Sequence, residues 1–163
     1  MSDVPPGKHA MVMRWRAHLE ETLATLERTL GAARSRMDVV GERPTNRGER
    51  AEVTSQGYLA DGLGRRIEEV RTALALLEEV NLAASDRIRA GSLVAVEEAD
   101  GGMRWLLVLP GGDGTRVWDE DRAVSVVPPG SPWVRALRDR GVGDEVSIER
   151  ATGPVTVRVT SVT

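Results

Sequence analysis

From Val12 onward, apolar residues recur in alternating steps of four and three: Val12, Leu19, Leu23, Leu26, Leu30, Ala33, Met37 and Val40, with Arg16 the polar member of the series. A second series keeps the same alternation through Val53, Ala60, Leu63, Ile67, Val70, Leu74 and Leu77, with Gln56 out of pattern. Such a heptad seam predicts long helices that pair along one face. Between the two runs, Gly41 can end a helix, while Pro44 and Gly48 interrupt one. A short connection makes the arms antiparallel neighbours, so residues of about 12–40 and 47–80 are expected to form one helical hairpin. At 1.5 Å per residue each arm would reach roughly 40 Å. Gly57, Gly62 and Gly64 lie off the seam of the second arm. Each costs a helix interior about 1 kcal/mol relative to Ala, so the outer half of the hairpin is expected to be soft.

After Ala83-Ala84-Ser85-Asp86 the pattern changes from helical to strand-like. Leu93–Glu98, Arg104–Leu109, Ala123–Val127, Glu145–Glu149 and Val155–Val162 are short runs rich in Val, Leu and Ile, separated by Gly- and Pro-rich turns. The first two runs flank Gly101-Gly102 and are expected to pair as a hairpin. Ser131-Pro132-Trp133-Val134-Arg135-Ala136-Leu137 carries Ser at an N-cap and Pro at the first helical position, which predicts one short helix with Val134 and Leu137 facing inward. The fold class is therefore α+β. The expected division is residues 1–82 as a coiled-coil hairpin and residues 83–163 as a small β-sheet domain with one helix. Met1 to Lys8, with Pro5-Pro6-Gly7, reads as a loose start.

Composition narrows the function by exclusion. The absence of cysteine removes disulfides, thiolate zinc sites and cysteine nucleophiles, and makes a cytoplasmic address the default. The apolar runs Ala73–Leu77 and Trp105–Leu109 fall far short of the ~20 residues of a membrane span. A net charge of −3 and 3% aromatic residues give no footprint for independent DNA binding. His9 and His18, the two histidines, do not stand in a nucleophile or metal pattern, and both read as solvated. The single lysine, Lys8, is not part of a phosphate loop, and the doublets Glu20-Glu21, Glu68-Glu69 and Glu78-Glu79 read as solvated helix faces.

Two segments carry a family resemblance. Ser131-Pro132-Trp133-Val134-Arg135-Ala136-Leu137, then Gly141-Val142-Gly143-Asp144-Glu145-Val146, then Gly153 and the closing Val-rich strand resemble a pattern in the FKBP-like carboxyl domain of the Gre family of bacterial transcript-cleavage factors. Asn46-Arg47-Gly48-Glu49-Arg50-Ala51-Glu52 resembles that family's hairpin tip when Arg66–Val70 anchors the arm. The resemblance covers about residues 12–162 and implies an FKBP-like second domain. It also implies RNA polymerase as partner: the carboxyl domain docks at the rim of the secondary channel, and the hairpin enters it so that tip acids reach the polymerase's magnesium. In that chemistry an Asp and a Glu hold a second Mg²⁺ and a water, because hard cations take carboxylate oxygens and two-metal hydrolysis needs an activated water.

The sequence departs from the family at the tip. Asn46 stands where the family has Asp and offers a neutral carbonyl oxygen; Glu49 matches the family's Glu and is the one metal-ligand candidate, reaching Mg²⁺ only in complex with polymerase. Around them Glu42, Glu49 and Glu52 balance Arg43, Arg47 and Arg50, so the tip field does not draw a loose cation. The implied function is a regulator that modulates or inhibits polymerase, with no cofactor of its own. The alternative is an active cleavage factor in which Asp38 or Glu42 replaces the missing acid; a remote one is an FKBP-like prolyl isomerase or chaperone, which needs an aromatic-walled pocket where the carboxyl half offers only Trp105, Trp118 and Trp133 and no Phe or Tyr. Asn46 and Glu49 also have the spacing of a capping box, and the three tip arginines read first as solvated and otherwise as contacts to RNA, substrate phosphate or acidic polymerase residues. Ser131, Pro132, Trp133 and Arg135 are the polymerase-docking candidates by resemblance, with capping and core packing as their structural roles. Pairing of the arms within one chain predicts a monomer.

Overall fold

The computed structural model describes residues 7–40 and 47–163, Val40 by its backbone alone. Helix α1 spans Lys8–Val40 and α2 spans Arg47–Glu78, followed by β1 (Leu93–Glu98), β2 (Met103–Val108), β3 (Arg116–Asp119), β4 (Arg122–Val127), α3 (Pro132–Leu137), β5 (Glu145–Ile148) and β6 (Val155–Val162). The class is α+β, two long helices and then a mixed six-stranded sheet. The chain divides into two compact units, residues 17–74 and residues 1–16 with 75–163.

The two helices run antiparallel: Glu27 on α1 pairs with Arg71 on α2 at 2.8 Å, and Arg16, earlier on α1, pairs with Glu78, later on α2. Seam residues Leu19, Leu30, Ala33, Ile67 and Val70 are buried, and Leu23, Leu26, Met37, Val53, Gln56, Ala60, Leu63 and Leu74 are half-buried. The heptad series thus marks the packed stripe at every described position. Gly57, Gly62 and Gly64 are all inside an unbroken α2.

In the second unit the strand order is β3-β4-β2-β1-β6-β5. All neighbours are antiparallel except β2 and β4, which pair in parallel from Trp105 opposite Val124 to Val108 opposite Val127. The β1–β2 hairpin turns at Gly101, whose φ of +83° is the left-handed region that Gly enters without strain. Helix α3 covers one face: Val134 and Leu137 join Val94, Val96, Leu106 and Val108 in a single core. The opposite face, including Ala95, Leu107, Val124 and Val126, is also buried.

Two expectations are corrected. Strand β3 was not legible in the pattern, because its turn to β4 runs through Glu120 at φ +51° with no Gly to mark it. Lys8 does not belong to a loose start: it opens α1, is fully buried, and donates from Nζ to the carbonyls of Leu82 and Thr163, each at 3.0 Å. Met11 and Trp15 are buried behind it, and Trp15 Nε1 donates to the Pro110 carbonyl at 3.1 Å. Burial, and then the Arg89 charge, lowers the Lys8 ammonium to about 8.

Candidate functional site

The arm tip is seen from the α2 side. Arg47 is the first helical residue, and Arg50 and Glu52 are exposed. Glu49 is half-buried in the first turn, where its charge meets the positive end of the helix dipole. Glu42, Arg43 and Asn46 lie outside the described residues. Asp38 is exposed on α1. Among the described residues no three His, Asp or Glu side chains come together as a metal site, and Glu49 is the described tip carboxylate that matches the ligand position. Arg47, Arg50, Ala51, Thr54, Ser55 and Tyr58 line one shallow groove along the first three turns of α2. Their spacing of three, four, seven, eight and eleven places them on one face, away from the seam. Sequence reasoning named the two arginines but missed Tyr58, which is 75% exposed on that face.

The second candidate segment is α3. Ser131 caps it, its Oγ accepting from the Val134 amide at 3.1 Å, and Pro132 occupies the first turn, where a missing N–H costs nothing. Val134 and Leu137 are buried, Arg135 is exposed, and Trp133 is half-buried. Two guanidinium groups lie over its ring, Arg104 at 5.1 Å and Arg150 at 4.8 Å from the centroid. Both arginines also bond one carboxylate: Glu98 Oε1 takes Arg104 Nε at 2.9 Å and Arg150 Nη2 at 2.8 Å. These hydrogen bonds, first from Arg150 and then from Arg104, hold the Glu98 carboxyl below its ordinary range. The two guanidinium contacts, held together by one carboxylate, restrain the Trp133 ring and place two cations beside it. Arg150 and Glu98 are 52 residues apart, so no local pattern could have announced them.

The Gly141–Val146 segment that matched the family pattern is a tight turn. Gly143 sits at φ +95°, the Asp144 carboxylate accepts from the Gly141 amide at 2.9 Å, and Gly143 N donates to the Val159 carbonyl at 2.8 Å. Gly143 and Asp144 are thus accounted for by the turn, and Glu145 and Val146 open β5.

His9 is exposed and His18 half-buried on α1. Trp105 and Trp118 occupy opposite faces of the sheet, since Trp105 pairs with Val124 and Trp118 with Ala123, the next residue along β4. Arg122 lies over the Trp105 ring at 4.1 Å. Trp105 and Trp118 therefore do not converge on one aromatic-walled pocket of the kind an isomerase needs. No helix among the described residues is long and apolar enough to cross a membrane.

Taken together, the molecule is a helical hairpin joined to a mixed-sheet unit with one capped helix. No protein-family model and no curated protein sequence matches the chain. Among solved structures it is similar to GreA factor homolog 1 (Gfh1) of Thermus thermophilus, at 18% identity and a TM-score of 0.38, over 91% of this chain and 94% of that one. It is similar to Gfh1 of Thermus aquaticus, at 18% identity and a TM-score of 0.39, over 90% and 92% of the two chains. A transcription elongation factor GreA/GreB from Nitrosomonas europaea is similar at 19% identity and a TM-score of 0.35, over 58% of this chain and 78% of that one.

Proposed function

We propose that the protein is a Gre-type regulator that binds bacterial RNA polymerase, enters its secondary channel with the helical hairpin and modulates or inhibits RNA synthesis without stimulating transcript cleavage. The observation that carries the reading is the antiparallel pair α1 and α2 followed by a sheet unit bearing the Ser131-Pro132 capped helix, the same order in which the sequence motifs of that family occur. In this reading α3 and the Arg104–Trp133–Arg150 surface dock on the channel rim, and the protein acts as an accessory factor with no chemistry of its own. Cleavage is lost because a second Mg²⁺ wants two carboxylates, and the tip offers Glu49 beside Asn46, with Arg47 and Arg50 adding repulsion.

The test measures polymerase binding, RNA synthesis and RNA cleavage on stalled complexes. The protein should bind and slow synthesis while giving little cleavage. Asn46→Asp keeps the side-chain shape and the capping capacity, and should gain cleavage without loss of stability; neutralising Arg47 as well should increase that gain. Strong cleavage by the unmodified protein, or no association with polymerase, would overturn the proposal.

A further inference from the structure

Within the helical unit the two ends of the helix pair are built differently. Leu19, Leu30 and Ala33 on α1 and Ile67, Val70 and Ala73 on α2 are buried. Beyond them, none of the described residues 34–39 and 47–66 is buried. The same stretch of α2 holds Gly57, Gly62 and Gly64, and a Cβ added at any of the three meets nothing within 4 Å. No close approach of another chain segment demands glycine there, and none of the three has a positive φ. Each therefore lowers helix stability without any compensating contact. At the seam itself, Gln56 buries its Oε1 with no hydrogen-bond partner among the described residues, a further penalty in the same turn of helix.

We infer that residues 34–39 and 47–66 belong to a separately melting unit, which opens while residues 17–33 and 67–74 stay paired, and whose ordering is completed by the cavity that encloses the arm. The coupling to a cavity rests on the proposed function; the separate melting does not. An arm that is only marginally ordered when free must be ordered on entry, and that cost subtracts from its affinity. The three glycines then set how tightly the arm is held. They keep a probe with an extensive contact surface from binding irreversibly.

Native-state hydrogen exchange of the full chain tests the first part. Amides of residues 50–64 should exchange at least 10-fold faster than those of residues 68–76 in the same helix. The triple variant Gly57→Ala, Gly62→Ala, Gly64→Ala should slow the distal amides by roughly 100-fold, since each replacement is worth about a factor of five, and leave the proximal ones unchanged. Gln56→Leu should slow the distal amides independently, by several-fold. Equal protection along α2, or distal exchange unaffected by the alanines, would overturn the separate unit whatever the protein binds. Polymerase affinity tests the coupling: the triple alanine variant should bind several-fold more tightly. Slower exchange with unchanged affinity would overturn the coupling, whereas failure of every variant to bind polymerase would overturn the proposed function and leave the exchange result standing.

Discussion

The sheet and the helix pair draw on the same apolar residue types and reach different degrees of burial. In the sheet, Val94, Val96, Leu107, Val108, Val124 and Val126 are all at 0% exposure. In the helix pair, Leu23, Leu26, Val53 and Leu63 are only half-buried, although they stand on the heptad seam. The difference follows from the number of layers. A sheet covered on both faces removes a side chain from water completely, whereas two paired helices leave the flank of every seam residue open. The pattern that specifies pairing in the arm is therefore not matched by an equal amount of buried area, and stability in the arm depends more on helix propensity than stability in the sheet does.

The largest expected effect compares one truncation in each region. Leu107→Ala should cost about 2–5 kcal/mol, because it opens a cavity among fully buried neighbours, while Leu63→Ala should cost less than about 1.5 kcal/mol. Urea denaturation of both variants measures the contrast, and equal losses would break it. Next, Glu98→Gln removes the charge that pairs the two arginines lying over Trp133, with the Glu98 side chain 16% exposed. A loss of about 1–2 kcal/mol is expected, together with a weaker near-ultraviolet circular dichroism signal from the loosened indole. An unchanged signal would show that the core, and not the guanidinium pair, holds the ring.

A pH titration sharpens the comparison within the sheet unit. Lys8 titrates near 10.5 in the unfolded chain and near 8 when folded. Between those values the unfolded chain holds a proton that the folded chain has released, so stability contributed by Lys8 rises with pH from about 8 to about 10.5. Below pH 8 both states are protonated and the burial cost is constant. The slope is at most about 1.4 kcal/mol per pH unit. Urea midpoints of the wild type and Lys8→Met across pH 7.5 to 10 read it, and the variant should lose the slope. The smallest expected effect is in the arm: Gly31 on α1 also has open space where a Cβ would stand. Gly31→Ala should therefore stabilise the helical unit by up to about 1 kcal/mol, seen as a higher thermal midpoint.

Much of this architecture is local and was readable. The steps of four and three repeat within one helix turn or two, so they marked the arms without any knowledge of the partner. Ser131 and Pro132 announced α3 because a cap is satisfied within three residues, as the Ser131–Val134 bond is. At the candidate site the sequence named Arg47, Glu49, Arg50 and the α3 residues, and the structure places the first three in the opening turn of α2. It could not name Tyr58 as their companion, since an aromatic off the seam looks like any other exposed residue.

By itself, then, the sequence determined the period of the helix pair, the turns, the runs that became five of the strands and the cap of α3, all of which are settled by contacts a few residues apart. Tertiary structure alone decided the rest: the parallel pairing of β2 with β4, the four-residue strand β3, the burial of Lys8 with its bonds to Leu82 and Thr163, and the meeting of Trp133 with Arg104 and Arg150, both bound to Glu98. Each of these depends on groups brought together across a long loop. An isolated Lys, Trp or Glu in the sequence carries no sign of which distant carbonyl, cation or strand will satisfy it.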